Sequence, residues 1–401
     1  MKKIHALLLV FTTAVLLGGC SSNKEKTPEE LFDLYASGVV LIYHQLYYSF
    51  NWGESTFYFT GVDENGDLLN ITKNQNDILE NGCGNYGTGF FVDKFGTIMT
   101  NRHVVNNDLS QEVAVNAFVK EITKQINQLG DSAKQKQIKI AELKNSQKNN
   151  ACIQSWFDGK YYINDQQLYD QYEQQINNLN SDILSILNIL NNYKAMSQQN
   201  IRYKVHQKIG IAYSNSNIND NNDFFGGNEC KIVNISNDIN TDLALIRLKN
   251  GRTPDNINLI MPKISKKDNQ DNIPLTSNIK DIANVILRGK NGDKLSVEDF
   301  YYAPKINQEL IMIGYNCGVD LALTRNGISP QVTTGHVTQN PDGQRLLYSI
   351  PAAPGSSGSP VIDKEGYLVG VNFAKLDGTD NFKFGIPMNL IINFIYNSLN
   401  E

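Results

Sequence analysis

Residues 87–105 read G-T-G-F-F-V-D-K-F-G-T-I-M-T-N-R-H-V-V. Two runs rich in β-branched and aromatic residues flank the turn residues 93–96, and a histidine follows at position 103. Such runs, bounded by Asp and Gly, predict a hairpin of two half-buried or buried strands. Upstream, T-P-E-E at 27–30 predicts a capped helix with Pro28 at its first position and Glu30 reaching back to the cap, running through Tyr35. Gly38 stops that helix, and V-V-L-I-Y at 39–43 reads as a buried strand. Residues 44–86 are rich in Tyr, Phe, Asn and Gly, with D-E-N-G-D at 63–67 as the turn of a further hairpin.

Downstream the texture changes. From about 113 to 147 and from about 166 to 198 Gly is nearly absent and Pro wholly so. Ile122, Ile126 and Leu129 in the first stretch, and Leu179, Ile183, Ile186, Ile189 and Leu190 in the second, fall at helical spacing. With Asp158-Gly159 between them, they predict an antiparallel helical hairpin whose arms run roughly 45 to 55 Å at 1.5 Å per residue. Strand character returns at 202–213, and short strands separated by Gly, Asn and Pro turns continue to Asn389. Leu390, Ile391, Phe394 and Ile395 then predict a closing helix. The expected fold is therefore all-β with one helical insertion.

Composition narrows the function. Hydrophobic residues at 41% and charged residues at 19% are ordinary globular values, which excludes a wholly disordered chain. The net charge of -5, from 36 basic and 41 acidic residues, offers no cationic excess for a nucleic-acid backbone. Neither a dinucleotide fingerprint nor a phosphate loop is present, and without C-x-x-C or a His-rich pair no metal site is expected. Cys83, Cys152, Cys230 and Cys317 allow three complete disulfide pairings, and free buried thiols are the equal alternative.

Three separated pieces carry the chemistry: T-N-R-H-V-V with His103, T-D-L-A-L-I-R-L with Asp242, and A-P-G-S-S-G-S-P-V with Ser357. A serine hydroxyl needs an imidazole to take its proton and a carboxylate to hold that imidazole's tautomer. Asp238 is the rival carboxylate, but the apolar run after Asp242 fits a buried acid at a strand start. The glycines around Ser357 allow a sharp turn that aims backbone N–H groups at a developing oxyanion, with Gly355 and Ser357 as the donors. His44, His206 and His336 have no nucleophile motif beside them and read as structural.

On these motifs the chain resembles trypsin-fold serine proteases, nearest in texture to the bacterial HtrA type, over residues 37–108 and 200–399. Weaker help comes from 332–338 and 384–389. The resemblance implies two packed six-stranded β-barrels with catalysis in the cleft between them and a peptide or unfolded protein as substrate. Triad chemistry needs no cofactor. A non-catalytic peptide-binding or scaffold protein on the same fold is the alternative. Departures are plain: His103 and Asp242 lie 139 residues apart because the helices intervene. Ser359 replaces a common glycine, and nothing after residue 399 reads as a PDZ domain. The implied substrate pocket is walled by Pro351, Asn372, Phe373, Ala374 and Phe384. With Pro351 where pockets for Lys or Arg carry an aspartate, small or medium uncharged side chains are expected at the cleaved position.

The N-terminus reads as a processing signal: Lys2 and Lys3, an apolar run over 6–17, then L-L-G-G-C ending at Cys20. It resembles a bacterial lipoprotein signal, in which Cys20 becomes the lipidated residue, carrying palmitate-type chains that tether the protein to a membrane. An ordinary secretory signal is the plainer alternative. The expected organisation is signal peptide 1–19, lipidated linker 20–27, first protease part 28–108, helical insertion 109–199 and remaining protease 200–401. The location is the cell envelope, at the outer membrane where there are two. The insertion's narrow apolar seam reads as structural, with a protein partner as its second use.

Overall fold

The computed structural model describes residues 25–80, 83–106, 108–197, 200–238, 241–262, 265–266, 269–272, 303–375 and 383–400. Cys20 and the 1–19 signal lie outside the described residues. Helix α1 (Pro28–Tyr35) has the expected capping box, with Glu30 N–H donating to Thr27 Oγ1 and the Glu30 carboxylate accepting from Thr27 N–H. A first sheet follows from β1 (Val39–Trp52), β2 (Ser55–Phe59), β3 (Gly84–Phe91) and β4 (Thr97–Asn101). Helix α2 (Arg102–Val105) is one turn long. The insertion comprises α3 (Gln111–Ala151), the ribbon β5 (Cys152–Gln154) and β6 (Tyr161–Ile163), and α4 (Gln166–Met196). Strands β7 (Arg202–Ala212), β8 (Glu229–Ile235) and β9 (Leu243–Leu248) return to the first sheet. Its order is β2-β1-β3-β4-β9-β8-β7, and an additional β1–β7 pairing closes six of the strands into a barrel.

The second sheet contains β10 (Glu309–Gly314), β11 (Gln331–His336), β12 (Leu346–Tyr348), β13 (Pro360–Ile362), β14 (Leu368–Lys375) and β15 (Lys383–Pro387). Its order is β11-β10-β13-β14-β15-β12, curled so that Val337, just past β11, bridges to Tyr348 in β12. Helix α5 (Met388–Asn400) closes the chain. Alternation along the strands sorts side chains between an interior and an outer face. Val40, Ile42, Ile98, Ala244 and Ile246 fill the first barrel, while Leu310, Met312, Leu346, Tyr348 and Val361 fill the second sheet's curl. The opposite faces, with Leu41, Tyr43 and Leu245 from one and Ile311, Ile313 and Val371 from the other, share a third core with Ile391 and Ile395 of α5. This is the double-barrel arrangement with a long helical insertion.

The chain divides into two compact units, one comprising Met1–Gln45, Gly84–Asn107 and Lys208–Glu401, the other Leu46–Cys83 and Asp108–Gln207. The second unit has its own core. Tyr48, Phe50 and Trp52 alternate onto one face of β1, Phe57 and Phe59 do so on β2, and Ala114, Phe118 and Ile122 recur at helical spacing on α3. The Phe118 ring stacks at 4.5 Å on Phe50 and meets Trp52 edge-on. Beyond this core α3 and α4 pack through Ile140, Leu143, Ile176 and Ile183. Gln147 paired with Glu173 and Lys136 with Asp182 show that the helices run antiparallel.

All four cysteines in the described residues are free thiols. Burial pushes the Cys230 thiol up to about 12, so it behaves as an inert core group. Among the described residues no helix is long and apolar enough to cross a membrane.

Candidate active site

The site begins with strand register. Leu243 pairs with Asn101 in the antiparallel β4–β9 ladder, so the residue before β9 meets the residues just after β4. Those residues are Asp242 and His103. The Asp242 carboxylate accepts from His103 N–H through Oδ1 at 3.0 Å and faces His103 Nδ1 through Oδ2 at 2.6 Å. A carboxylate can only accept, so Nδ1 carries a hydrogen, and in the neutral imidazole Nε2 is the nitrogen with the free lone pair. The Asp242 side chain is buried, whereas that of His103 is 47% exposed. Asp238 instead accepts from the Thr241 hydroxyl within its own loop.

Asp242 takes a left-handed φ of 39°, an uncommon conformation for a residue other than glycine. Its carbonyl is held there by Asn101 Nδ2 and by Arg102 N–H, each at 3.0 Å. Backbone strain of this kind persists only where neighbours over-determine it, and here the result is a carboxylate aimed twice at one histidine.

Ser357 arrives from the second sheet. Gly355 and Gly358 beside it have φ of 95° and 88°, which only glycine adopts without strain. Thr88 of β3 clamps the loop: its N–H donates to Ser357 O and its hydroxyl donates to Gly355 O, both at 2.8 Å. Thr100 of β4 donates to Thr88 O at 2.8 Å. A Cβ on Gly358 would sit 2.1 Å from Thr88 O and 2.5 Å from Thr100 Oγ1, so this loop lies directly on β4, three residues before His103. The half-buried Ser357 hydroxyl has no hydrogen-bond partner among the described residues. Within the loop, the N–H groups of Ser356, Gly358 and Ser359 are committed to Ala353, Asn372 and Ser356 carbonyls. Those of Gly355 and Ser357 donate to no described residue.

The expected pocket residues fall in different settings. Asn372 is buried, its amide donating to Ser356 O and its oxygen accepting from the Tyr348 hydroxyl, so it braces the serine loop. Phe373 packs partly buried against the shared core, and Pro351 is exposed. Ala374 pairs with Phe384 in the β14–β15 ladder, and its side chain lies outside the described residues. Phe384 is half-buried under the Arg345 guanidinium, 4.9 Å from the ring centre. Lys383 is buried on β15, opposite Tyr348. Sequence reasoning missed Thr88, Thr100, Asn101 and Arg345, because their placement depends on partners remote in the chain.

Behind the site, His44 is fully buried on β1 with Nε2 unpartnered among the described residues. Desolvation, only partly offset by its hydrogen bond to the Val104 backbone, pulls its pKa down to about 4. It is thus a neutral packing histidine adjoining α2.

Residues 211–371 match the model of the trypsin-like peptidase domain. The matched stretch contains Asp242 and Ser357. A curated relative, the chloroplastic Protease Do-like 2 of Arabidopsis thaliana, is 26% identical over 132 residues, which is 29% of this chain. The alignment spans 22% of that relative's length. Among solved structures, the serine endoprotease from Yersinia pestis aligns at a TM-score of 0.40 with 13% identity, covering 94% of this chain and 68% of that one.

Proposed function

We propose that the trypsin-like peptidase domain is an active serine endopeptidase whose nucleophile is Ser357. The observation that carries this reading is the doubly engaged His103–Asp242 pair, with the Ser357 loop held by Thr88, itself bonded to Thr100 of β4, the strand that leads into His103. His103 Nε2 takes the Ser357 proton as the hydroxyl oxygen attacks the peptide carbonyl. Asp242 stabilises the imidazolium without itself taking the proton. The uncommitted N–H groups of Gly355 and Ser357 receive the oxyanion of the tetrahedral intermediate. His103 then gives its proton to the leaving amine, an acyl-enzyme remains on Ser357, and water activated by the same histidine releases the acid.

A fluorophosphonate probe tests this reading. Labelling of the wild type that disappears in Ser357→Ala supports it; no labelling of folded protein removes it and leaves a peptide-binding or scaffold role. At the cleaved position, Phe384 is apolar and the Arg345 guanidinium over its ring opposes a further positive charge, so small or medium uncharged residues are preferred over Lys and Arg. Peptide mapping of cuts in an unfolded protein mixture checks this, and a majority after Lys, Arg or Glu refutes it. The N-terminal motif ending at Cys20 supports a lipid-anchored envelope enzyme. Metabolic incorporation of a palmitate analogue, lost in Cys20→Ser, tests that anchor.

A further inference from the structure

The insertion ends in an unusual surface. Between α3 and α4, Trp156 and Phe157 stand 95% and 85% exposed at the turn of the β5–β6 ribbon, in edge-to-face contact with each other. Cross-strand pairing sets Ile153 opposite Tyr162 on one face of the ribbon, and Cys152 opposite Ile163 and Gln154 opposite Tyr161 on the other. Ile153, Tyr161, Tyr162 and Ile163 are all exposed. Both faces therefore carry exposed apolar or aromatic side chains, and at the turn Trp156 and Phe157 stand beside the polar Asp158 and Lys160. Exposed apolar side chains on both faces and at the turn suit a medium that surrounds the ribbon, as the boundary of a bilayer does.

Part of the tip's backbone and both of its tyrosine hydroxyls are hydrogen-bonded from within. Ser155 N–H donates to Lys160 O, Gly159 N–H to Ser155 O, Phe157 N–H to Ser155 Oγ and Lys160 N–H to the Asp158 carboxylate. The Tyr161 hydroxyl donates to Gln154 Oε1 and the Tyr162 hydroxyl to Asp158 Oδ2. Leaving water without stranding backbone donors and acceptors is the requirement that a bilayer imposes on any inserted segment. Trp and Tyr are the side chains that settle at the membrane–water boundary, with an apolar body in lipid and a polar edge at the headgroups. Lys148, whose Nζ lies 4.1 Å from the Tyr161 ring centre, and the exposed Lys160 place ammonium groups beside the aromatic side chains, available to lipid phosphates.

We propose that the Trp156–Phe157 tip is an interfacial membrane anchor that inserts into the headgroup–acyl boundary of a phospholipid bilayer. It adds a contact independent of any lipid on Cys20 and of the peptidase reading. The sequence contains two tryptophans, and Trp52 is buried, so Trp156 reports on the tip.

The test uses the full chain carrying Cys20→Ser, with phosphatidylcholine–phosphatidylglycerol vesicles. Tryptophan emission should shift to the blue on adding vesicles and be quenched by phosphatidylcholine brominated on its acyl chains. Phe157→Ser, which keeps the Trp156 reporter, should diminish the shift, and Trp156→Ser combined with Phe157→Ser should weaken vesicle partitioning by roughly tenfold or more. Both sites are exposed, and an unchanged far-ultraviolet circular dichroism spectrum confirms that each variant folds. Residues 1–19 are common to all these proteins and cancel in the comparison. Emission unchanged by vesicles overturns the proposal. A blue shift that grows with protein concentration without lipid assigns the tip to a second copy of the chain and equally overturns it.

Discussion

Gly358→Ala offers a direct reading of how the serine loop is held. Its φ of 88° puts an L side chain in a region costing ~1–3 kcal/mol. The new methyl would lie 2.1 Å from Thr88 O and 2.5 Å from Thr100 Oγ1, where ordinary contact begins at 3.4 Å. One obstacle is backbone and the other is a hydroxyl bonded to that same carbonyl, so the loop, not the neighbours, must retreat. The retreat is about 1 Å, a displacement that costs a positioned reaction ~10²-fold. Reduced freedom of the unfolded chain returns ~0.4–1 kcal/mol, and weakening the Thr88–Ser357 hydrogen bond removes ~0.5–1.5 kcal/mol. The expected net is a loss of about 2 kcal/mol in stability with at least a ~10²-fold fall in the rate of fluorophosphonate labelling of Ser357. Gly130→Ala, in the interior of α3 with nothing within 4 Å of the added methyl, is the control: it should gain ~1 kcal/mol and leave labelling unchanged. Thermal melts and labelling rates measured on the three proteins decide the matter. Wild-type labelling by Gly358→Ala would refute the clamp.

Other outcomes follow from the same geometry. Asp242→Asn should cut peptidase activity by roughly 10⁴-fold by admitting the wrong His103 tautomer, whereas Asp238→Asn should leave kcat near wild type; steady-state kinetics on one peptide compare them. His44 titrates at about 4 when folded and near 6.5 when unfolded, so its contribution to stability is complete above pH 6.5 and is lost as pH falls towards 4. The loss is roughly 3 kcal/mol, and denaturant melts at pH 7 and pH 4 should show it shrinking in His44→Gln. Phe118→Ala, which empties the aromatic core of the second unit, should cost ~3–5 kcal/mol by denaturant melting.

Local structure was legible in the order of residues alone. Alternation and turn residues in 87–105 specify the β3–β4 hairpin, T-P-E-E specifies the α1 cap, and the Gly- and Pro-poor stretches specify α3 and α4 to within a few residues. The order of His103, Asp242 and Ser357 was legible for the same reason, since each sits in a motif whose neighbours dictate its own strand or turn. Strand β1 runs to Trp52, well beyond the expected 39–43, because its later residues alternate against β2 and the insertion's core, partners that local spacing does not show. Register brought Asp242 onto His103 and, through Asn101, held it left-handed; a clamp of two threonines seated Ser357. The cysteines proved free, and the aromatic tip proved exposed, only once the chain was folded. Local elements answer to propensity and periodicity over a few residues, but pairing, burial and aim are properties of surfaces that meet across more than a hundred residues of chain, and only the tertiary structure decides which surfaces those are.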